Sequence, residues 1–315
     1  MRMRALKAAL VFGMGLVALL AIGLVATWAP DQPVSVLAAR WAQPPSQFVP
    51  VAGLNVHLRD EGPKSDPLPI VLLHGTSASL HTWDGWADGL KAQRRVIRFD
   101  LPGFALTGPN AEHDYSVGAY VRFVLAMLDA LGVQKAVIAG NSLGGYIAWS
   151  TAQAHPDRIE RLILVDSSGY PPKSQSVPIG FRIARTPGLN RLMQNSLPRS
   201  VIESSVKNVY GDPSKVTPEI VDRYRDMTLR QGNRRAIVHR LQQGYTGDPE
   251  HIRAIKQPTL ILWGGQDRLV PLEHGERFAR DIAGSKLVVF ADLGHVPQEE
   301  DPGRTVAAVR AFLGL

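Results

Sequence analysis

Residues 135 to 149, KAVIAGNSLGGYIAW, constrain this chain more than any other stretch. Their first half is a short apolar run without polar alternation, the pattern of a strand covered on both faces. The run SLGGYIAWSTAQAH then starts a helix. Between them Gly140, Asn141, Ser142, Leu143 and Gly144 spell G-x-S-x-G. Neither a strand nor a helix favours so much glycine. In a strand-to-helix turn, glycines two before and two after the serine let neighbouring backbones crowd a residue held in a strained conformation, the nucleophile elbow. Such a turn lifts the Ser142 hydroxyl above the carboxyl ends of the strands and aims the first helical N–H groups at whatever binds there. Taken alone, the pentapeptide also reads as a tight turn without chemistry.

A serine hydroxyl is a poor nucleophile near neutral pH unless a base removes its proton. His295, in LVVFADLGHVPQEEDP, sits in the loop past the last strand-like run, at the same end of the expected sheet as Ser142. His57 falls in an opening hairpin. His113, His155, His239, His251 and His274 fall in surface-like or inserted segments, and His74 and His81 flank another loop. The imidazole needs an acceptor on its other nitrogen. Asp267, in LILWGGQDRLVP, is the first choice, with Asp166 in LILVDSSG as rival; Asp292 is too near His295 to reach behind its ring. An oxyanion wants two aimed N–H donors. Leu143, directly after the serine, supplies one; Thr76, with Ser77 as neighbouring alternative, supplies the other from the loop after PIVLLHG, which His74 and Gly75 shape.

The order of elements indicates an α/β fold. FVPVAGLNVHLRDEG reads as a hairpin around Gly53. After it the apolar runs PIVLLHG, RRVIRFD, KAVIAGN, RLILVD, PTLILWGG and KLVVF alternate with amphipathic segments near 83–91, 116–131, 143–154, 272–283 and 301–313. Such alternation predicts a parallel sheet with helices on both faces. Residues 170–250 break the rhythm: they hold no strand-like run and are punctuated by Pro178, Pro187, Pro198, Pro213 and Pro218. They are expected to form a helical cap over one end of the sheet.

Charge is uneven. The net +7 divides into +3 for residues 1–30, −2 for 31–169, +6 for 170–250 and zero for 251–315. No basic run, zinc-finger spacing or aromatic RNA-binding motif accompanies the excess, so nucleic acid is not an expected partner. The cap's charge reads as a solvated surface, or as a face toward anionic headgroups or substrates. The absence of cysteine excludes disulfides, thiolate nucleophiles and cysteine-ligated metal. With no GxxxxGK[ST], strand-linked GxGxxG or HExxH, no cofactor or metal is expected.

Arg2, Arg4 and Lys7 precede 22 uncharged residues from Ala8 to Ala29. As a helix these span roughly 33 Å, against about 30 Å for a bilayer core. A cleaved signal has a shorter apolar region and an A-x-A-like site. Residues 1–30 are therefore read as an uncleaved membrane anchor, with secretion after cleavage as the alternative. The body lies on the extracytoplasmic side in both cases. Residues 31–47, with Pro33, Pro44 and Pro45, read as a proline-rich stem.

Taken together, LLHGTSAS, FDLPGFALTGP, GNSLGG, WGGQDRLVP and GHVPQEEDP, in that order and spacing, resemble the α/β-hydrolase superfamily, specifically its capped members. The resemblance covers residues 48–315. It implies an eight-stranded, mostly parallel sheet, with core halves at 48–169 and 251–315 and the cap inserted after the sixth strand. It also implies a Ser142, Asp267, His295 triad and an oxyanion hole from Leu143 and Thr76. Ala105 departs from the glycine of many relatives. Capped dehalogenases and epoxide hydrolases carry aspartate at the elbow, so Ser142 points instead to hydrolysis of a small-molecule carboxylic ester through an acyl-enzyme, an amphiphilic one where the anchor places the site beside a membrane. Carbon-carbon hydrolysis of the meta-cleavage type is the alternative, and a non-catalytic binding protein a third. No obligate protein partner is evident.

Overall fold

The computed structural model describes residues 10–15, 23, 25, 27–244 and 248–315, without the side chain of Leu192. Eight strands form one sheet: β1 (Gln47–Val51), β2 (Leu54–Glu61), β3 (Ile70–Leu73), β4 (Val96–Phe99), β5 (Ala136–Asn141), β6 (Ile159–Val165), β7 (Thr259–Gly264) and β8 (Lys286–Phe290). Their order is β1-β2-β4-β3-β5-β6-β7-β8. β1 and β2 form the expected hairpin, β2 pairs antiparallel with β4, and every later pairing is parallel.

The uninterrupted apolar runs become strands buried on both faces. Because side chains alternate across a strand, Val71, Leu73, Ile138, Ile261 and Trp263 pack into one core layer. Their neighbours Ile70, Leu72, Val137, Ala139, Leu260 and Leu262 pack into the other. Each fully buried Leu or Ile contributes about 1.5–3 kcal/mol. KLVVF departs from expectation: β8 is an edge strand, and Val289 is exposed. With one strand neighbour instead of two, the run is only partly covered.

Helices Val117–Ala130, Leu143–Ala154, Leu272–Asp281 and Pro302–Leu313 lie where their amphipathic patterns place them. Ser116 caps the first of these by accepting from the Ala119 N–H. Between β6 and β7 the chain forms the expected helical insertion: Ile179–Arg185, Leu189–Met193, Arg199–Val209, Pro218–Leu229 and Asn233–Gln243. Thr217 caps the Pro218–Leu229 helix, and Pro218 occupies its first turn, where a missing N–H costs nothing. Asn233 donates to the carbonyl of Ala105 at 2.9 Å, joining the insertion to the FDLPGFALTGP loop. Ala105 has φ 44°, which explains why glycine suits this position in relatives.

The stem differs from its sequence reading, because residues 34–41 form a helix. Pro33 stands just before its first turn and Pro44 and Pro45 lie beyond its end, so no proline breaks it. Leu37 and Trp41 are buried, and the Trp41 indole donates to Asp226 at 2.9 Å. Asp31 pairs with the buried Arg234, and the main chain at Ala29 and Gln32 bonds to Asn195 and Leu229. The segment is docked on the helical insertion. The expected anchor falls largely outside the described residues. Among the described residues no helix is long and apolar enough to cross a membrane.

Candidate active site

Ser142 occupies the turn between β5 and the Leu143–Ala154 helix, with φ 55° and ψ −114°. A non-glycine residue at positive φ is strained. The strain is held by the main chain: the Ser142 N–H donates to Val165, and its carbonyl accepts from Tyr146 and Ser168 at 3.0 and 3.1 Å. Two glycines permit the turn. A Cβ on Gly140 would overlap the Gly144 carbonyl, and one on Gly144 would overlap the carbonyl of Leu73. The glycine spacing thus reflects three segments of backbone meeting under the serine.

His295 lies in the loop after β8, and its Nδ1 is 2.6 Å from Asp267 Oδ2. Asp267 follows β7, and its Oδ1 accepts from the N–H groups of Leu269 and Val270 at 2.8 and 2.9 Å. A ring proton on Nδ1 facing Asp267 leaves Nε2 with a lone pair, the tautomer a base requires. Ser142 and His295 line one cavity. Asn141 ties the two segments: its Nδ2 donates to the carbonyls of His295 at 2.9 Å and Val165 at 3.2 Å. The structure therefore brings together Ser142, Asp267 and His295. Asp292 instead pairs with Arg304 on the surface.

Leu143 opens its helix, so its N–H has no partner within it. Thr76 lines the space on both sides of Ser142, whereas Ser77, at φ 62°, lines only one. Gly75 lies against the elbow: an added Cβ would stand 3.3 Å from that of Ser142. His74 shapes this loop, its Nδ1 2.8 Å from the Gly75 carbonyl and its Nε2 accepting from Leu101 at 2.9 Å. Burial lowers the His74 pKa, consistent with a neutral ring that accepts at one nitrogen.

Asp166 does not bond to His295. It stands behind Asp267 at φ 44°, fully buried, with Oδ1 accepting from Gly264 at 2.9 Å and no donor for Oδ2. One ligating atom each of Asp166, Asp267 and His295 lies within 4.8 Å of the others. Burial, then the charge of Asp267, pushes the Asp166 pKa well up. A proton on Oδ2 converts the orphaned oxygen into a donor toward Asp267. As a metal site the cluster fits poorly, because Asp267 commits Oδ1 to two N–H groups and Oδ2 to the imidazole.

Two residues escaped sequence reasoning because their partners are distant in the chain. Glu300, buried, accepts from Gly211, Asp212 and Gly294 at 2.8–2.9 Å, tying the insertion to the His295 loop. Asp100 accepts from Leu80, Leu106 and His57 at 2.7–3.0 Å. Although burial opposes it, the charge and hydrogen bond of His57 hold its pKa down to about 2. His274, expected at the surface, is buried against Tyr170 because its helix packs on β7.

Two arms of open space diverge from Ser142. One, about 830 Å³ including space open to solvent, is lined by cap side chains such as Phe181, Met193, Ile202, Val206 and Ile237 and, among the described residues, by no Asp, Glu, Lys or Arg. The other, about 1440 Å³ on the same measure, includes Tyr170, Arg185, Arg240 and His274.

A serine at a strained strand-to-helix turn, sharing a cavity with a histidine backed by a carboxylate under a helical cap, defines a hydrolase-type site on an α/β scaffold. Residues 69–302 match the family described as alpha/beta hydrolase fold, and the chain belongs to it. It is 31% identical over 281 residues to the 2-hydroxy-6-oxo-2,4-heptadienoate hydrolase of Pseudomonas putida, covering 85% of this chain and 95% of that one. It is 29% identical over 272 residues to the 2-hydroxymuconate semialdehyde hydrolase of a Pseudomonas species, covering 83% and 91%. Among solved structures it is similar to a membrane phospholipase A, described as a bacterial virulence factor. That likeness has a TM-score of 0.74 and 26% identity and covers 96% of this chain and 97% of that one.

Proposed function

We propose that this protein is a serine hydrolase of carboxylic esters with an extended apolar acyl group. Ser142 Oγ attacks the ester carbonyl while His295 Nε2 takes its proton, and Asp267 stabilises the imidazolium. The N–H groups of Leu143 and Thr76 receive the oxyanion. Collapse breaks the bond to the alcohol, which leaves with the proton from His295. Water, deprotonated by the same nitrogen, then attacks the acyl-enzyme and frees the carboxylic acid and Ser142.

The observation that carries this reading is the apolar arm opening on Ser142. An acyl chain entering it gains about 0.8 kcal/mol per buried methylene, and the arm offers nothing to pair with a substrate charge. Arg223, on a neighbouring cap helix, is paired with Glu299, which also accepts from the Tyr224 hydroxyl at 2.9 Å.

We further place the catalytic body outside the cytoplasm, held by residues 8–29 as an uncleaved anchor. Support comes from the 22 uncharged residues behind a basic start. The likeness to the membrane phospholipase A also spans 96% of the chain. Because residues 27–41 dock on the insertion, an anchor ending near Ala29 holds the cap and its apolar arm beside the bilayer. That placement favours amphiphilic esters, phospholipids among them.

Carbon-carbon hydrolysis is the second reading, favoured by the names of the two Pseudomonas relatives. A panel of p-nitrophenyl esters from acetyl to myristoyl tests the first. Rates should rise with chain length, and Val206→Trp, which fills the apolar arm, should shift the preference to short chains. Inactivity toward every ester, with cleavage of a vinylogous 1,5-diketone acid, would establish the second.

A further inference from the structure

The wider arm is chemically unlike the apolar one. Arg185 ends the Ile179–Arg185 helix and Arg240 lies in the last turn of Asn233–Gln243; the two helices pack together, and both arginines line the space that Ser142, Leu143 and Thr76 also line. A cation near a helix C-terminus is ordinarily accounted for by the helix carbonyls. Arg240 meets part of that expectation, its Nη1 donating to Gly244 at 3.0 Å. Its Nε is nevertheless buried without an acceptor, and burial lowers the pKa of the group.

Arg225 and Arg230 share the orphaned Nε with Arg240, and Arg185 is exposed, so what sets Arg185 and Arg240 apart is their place beside Ser142 with no carboxylate near them. Arg98, Arg223 and Arg234 each meet a carboxylate. Among the described residues none stands within ion-pair distance of Arg185 or Arg240, and the remaining residues, all within 1–26 and 245–247, contain no Asp or Glu. No acidic residue lines the arm at all. His274 adds a second buried polar atom without a partner, its Nδ1. Unsatisfied buried polar groups around an open space are costly unless something binds there.

We propose that Arg185 and Arg240 form a binding site for an anionic group, a phosphodiester, phosphate or carboxylate, carried on the alcohol side of the ester. The inference rests on the ester reading, since only an acyl chain in the apolar arm sends the alcohol into the wider one. The substrate is then an anionic amphiphile straddling Ser142: chain on one side, scissile carbonyl at the elbow, charge on the other. Two guanidinium groups without a competing carboxylate suit oxyanions, which accept charge-assisted hydrogen bonds.

Four soluble esters with one acyl chain test this: hexanoyl glycerol, hexanoyl glycerol 3-phosphate, hexanoyl glycolate and hexanoylcholine. The purified enzyme should cleave at least one anionic ester with kcat/KM about tenfold or more above hexanoylcholine, with the neutral ester between, as a charge-assisted contact allows. Whichever anion gains more identifies the phosphate or the carboxylate as the group bound. Arg185→Gln with Arg240→Gln should bring all four within about twofold of one another, mainly through KM, and Arg240→Lys should keep part of the preference. The rate on hexanoyl glycerol is the internal control for folding. Equal efficiency on all four esters, or loss by one common factor in the variant, would overturn the anion site while leaving ester hydrolysis intact. Failure to cleave hexanoyl glycerol or any p-nitrophenyl ester would overturn the ester reading and this inference with it.

Discussion

His295 donates its backbone N–H to the carbonyl of Val209 at 2.7 Å, so the imidazole assigned as base hangs from the end of a cap helix. Glu300 secures the same junction by accepting from Gly211, Asp212 and Gly294. Replacing Glu300 with Ala leaves three N–H groups without an acceptor, at about 1–3 kcal/mol each if buried. Partial rehydration makes about 3 kcal/mol the expected total. Urea denaturation of Glu300→Ala should show this loss, and kcat should fall more than KM rises. A stable variant with unchanged kcat would show that the junction does not hold the imidazole.

Asp166 predicts a pH dependence of stability. Burial and the charge of Asp267 raise its pKa in the folded protein well above the usual carboxyl range, whereas the unfolded chain ionises it near pH 3.9. The folded state then binds the extra proton, so this group's contribution falls as pH rises above about 3.9 toward the raised folded pKa. Asp166→Asn supplies a donor in the same place without a proton to lose. It should therefore gain stability over the parent, more at pH 8 than at pH 5, with kcat largely kept. Thermal unfolding across that range checks it. A variant equally or more unstable at pH 8 would mean that Asp166 is needed as a carboxylate.

The docked stem predicts where the chain tolerates truncation. Arg234 is 2% exposed and pairs with Asp31, whose side chain is 37% exposed. Breaking a fully buried pair costs about 3–5 kcal/mol, and the partial exposure of Asp31 reduces the expectation to about 1–2 kcal/mol. Asp31→Ala should lower Tm accordingly. Removal of residues 1–26 should keep the fold, whereas removal through residue 42 also uncovers Leu37 and Trp41 positions on the cap and should destabilise it markedly. Equal Tm for both truncations would contradict the docking.

Local patterns carried most of the fold in the sequence. PTLILWGG and KAVIAGN read as strands because both of their faces are covered, and Ser142 and His295 were legible because a motif and a loop position mark them. Asp267 could be preferred over Asp166 from chain order, yet the raised pKa of Asp166 depends on how closely β6 and β7 bring the two carboxyl groups. Asp31 and Arg234 are 203 residues apart, and Glu300 meets Gly211 across 89. No periodicity encodes such pairs. The two arms around Ser142 were equally hidden, because which faces of the cap helices turn inward is settled by packing.

The central claim is that Ser142 forms a covalent intermediate with the proton passing to His295. Intact-mass analysis of the enzyme treated with an alkyl fluorophosphonate, followed by peptide mapping, tests it most directly. One adduct should form on Ser142 in the parent, none in Ser142→Ala, and a much slower one in His295→Gln, with p-nitrophenyl ester turnover falling in parallel. An adduct on another residue, or a Ser142→Ala protein that still hydrolyses the ester at the parent rate, would contradict it.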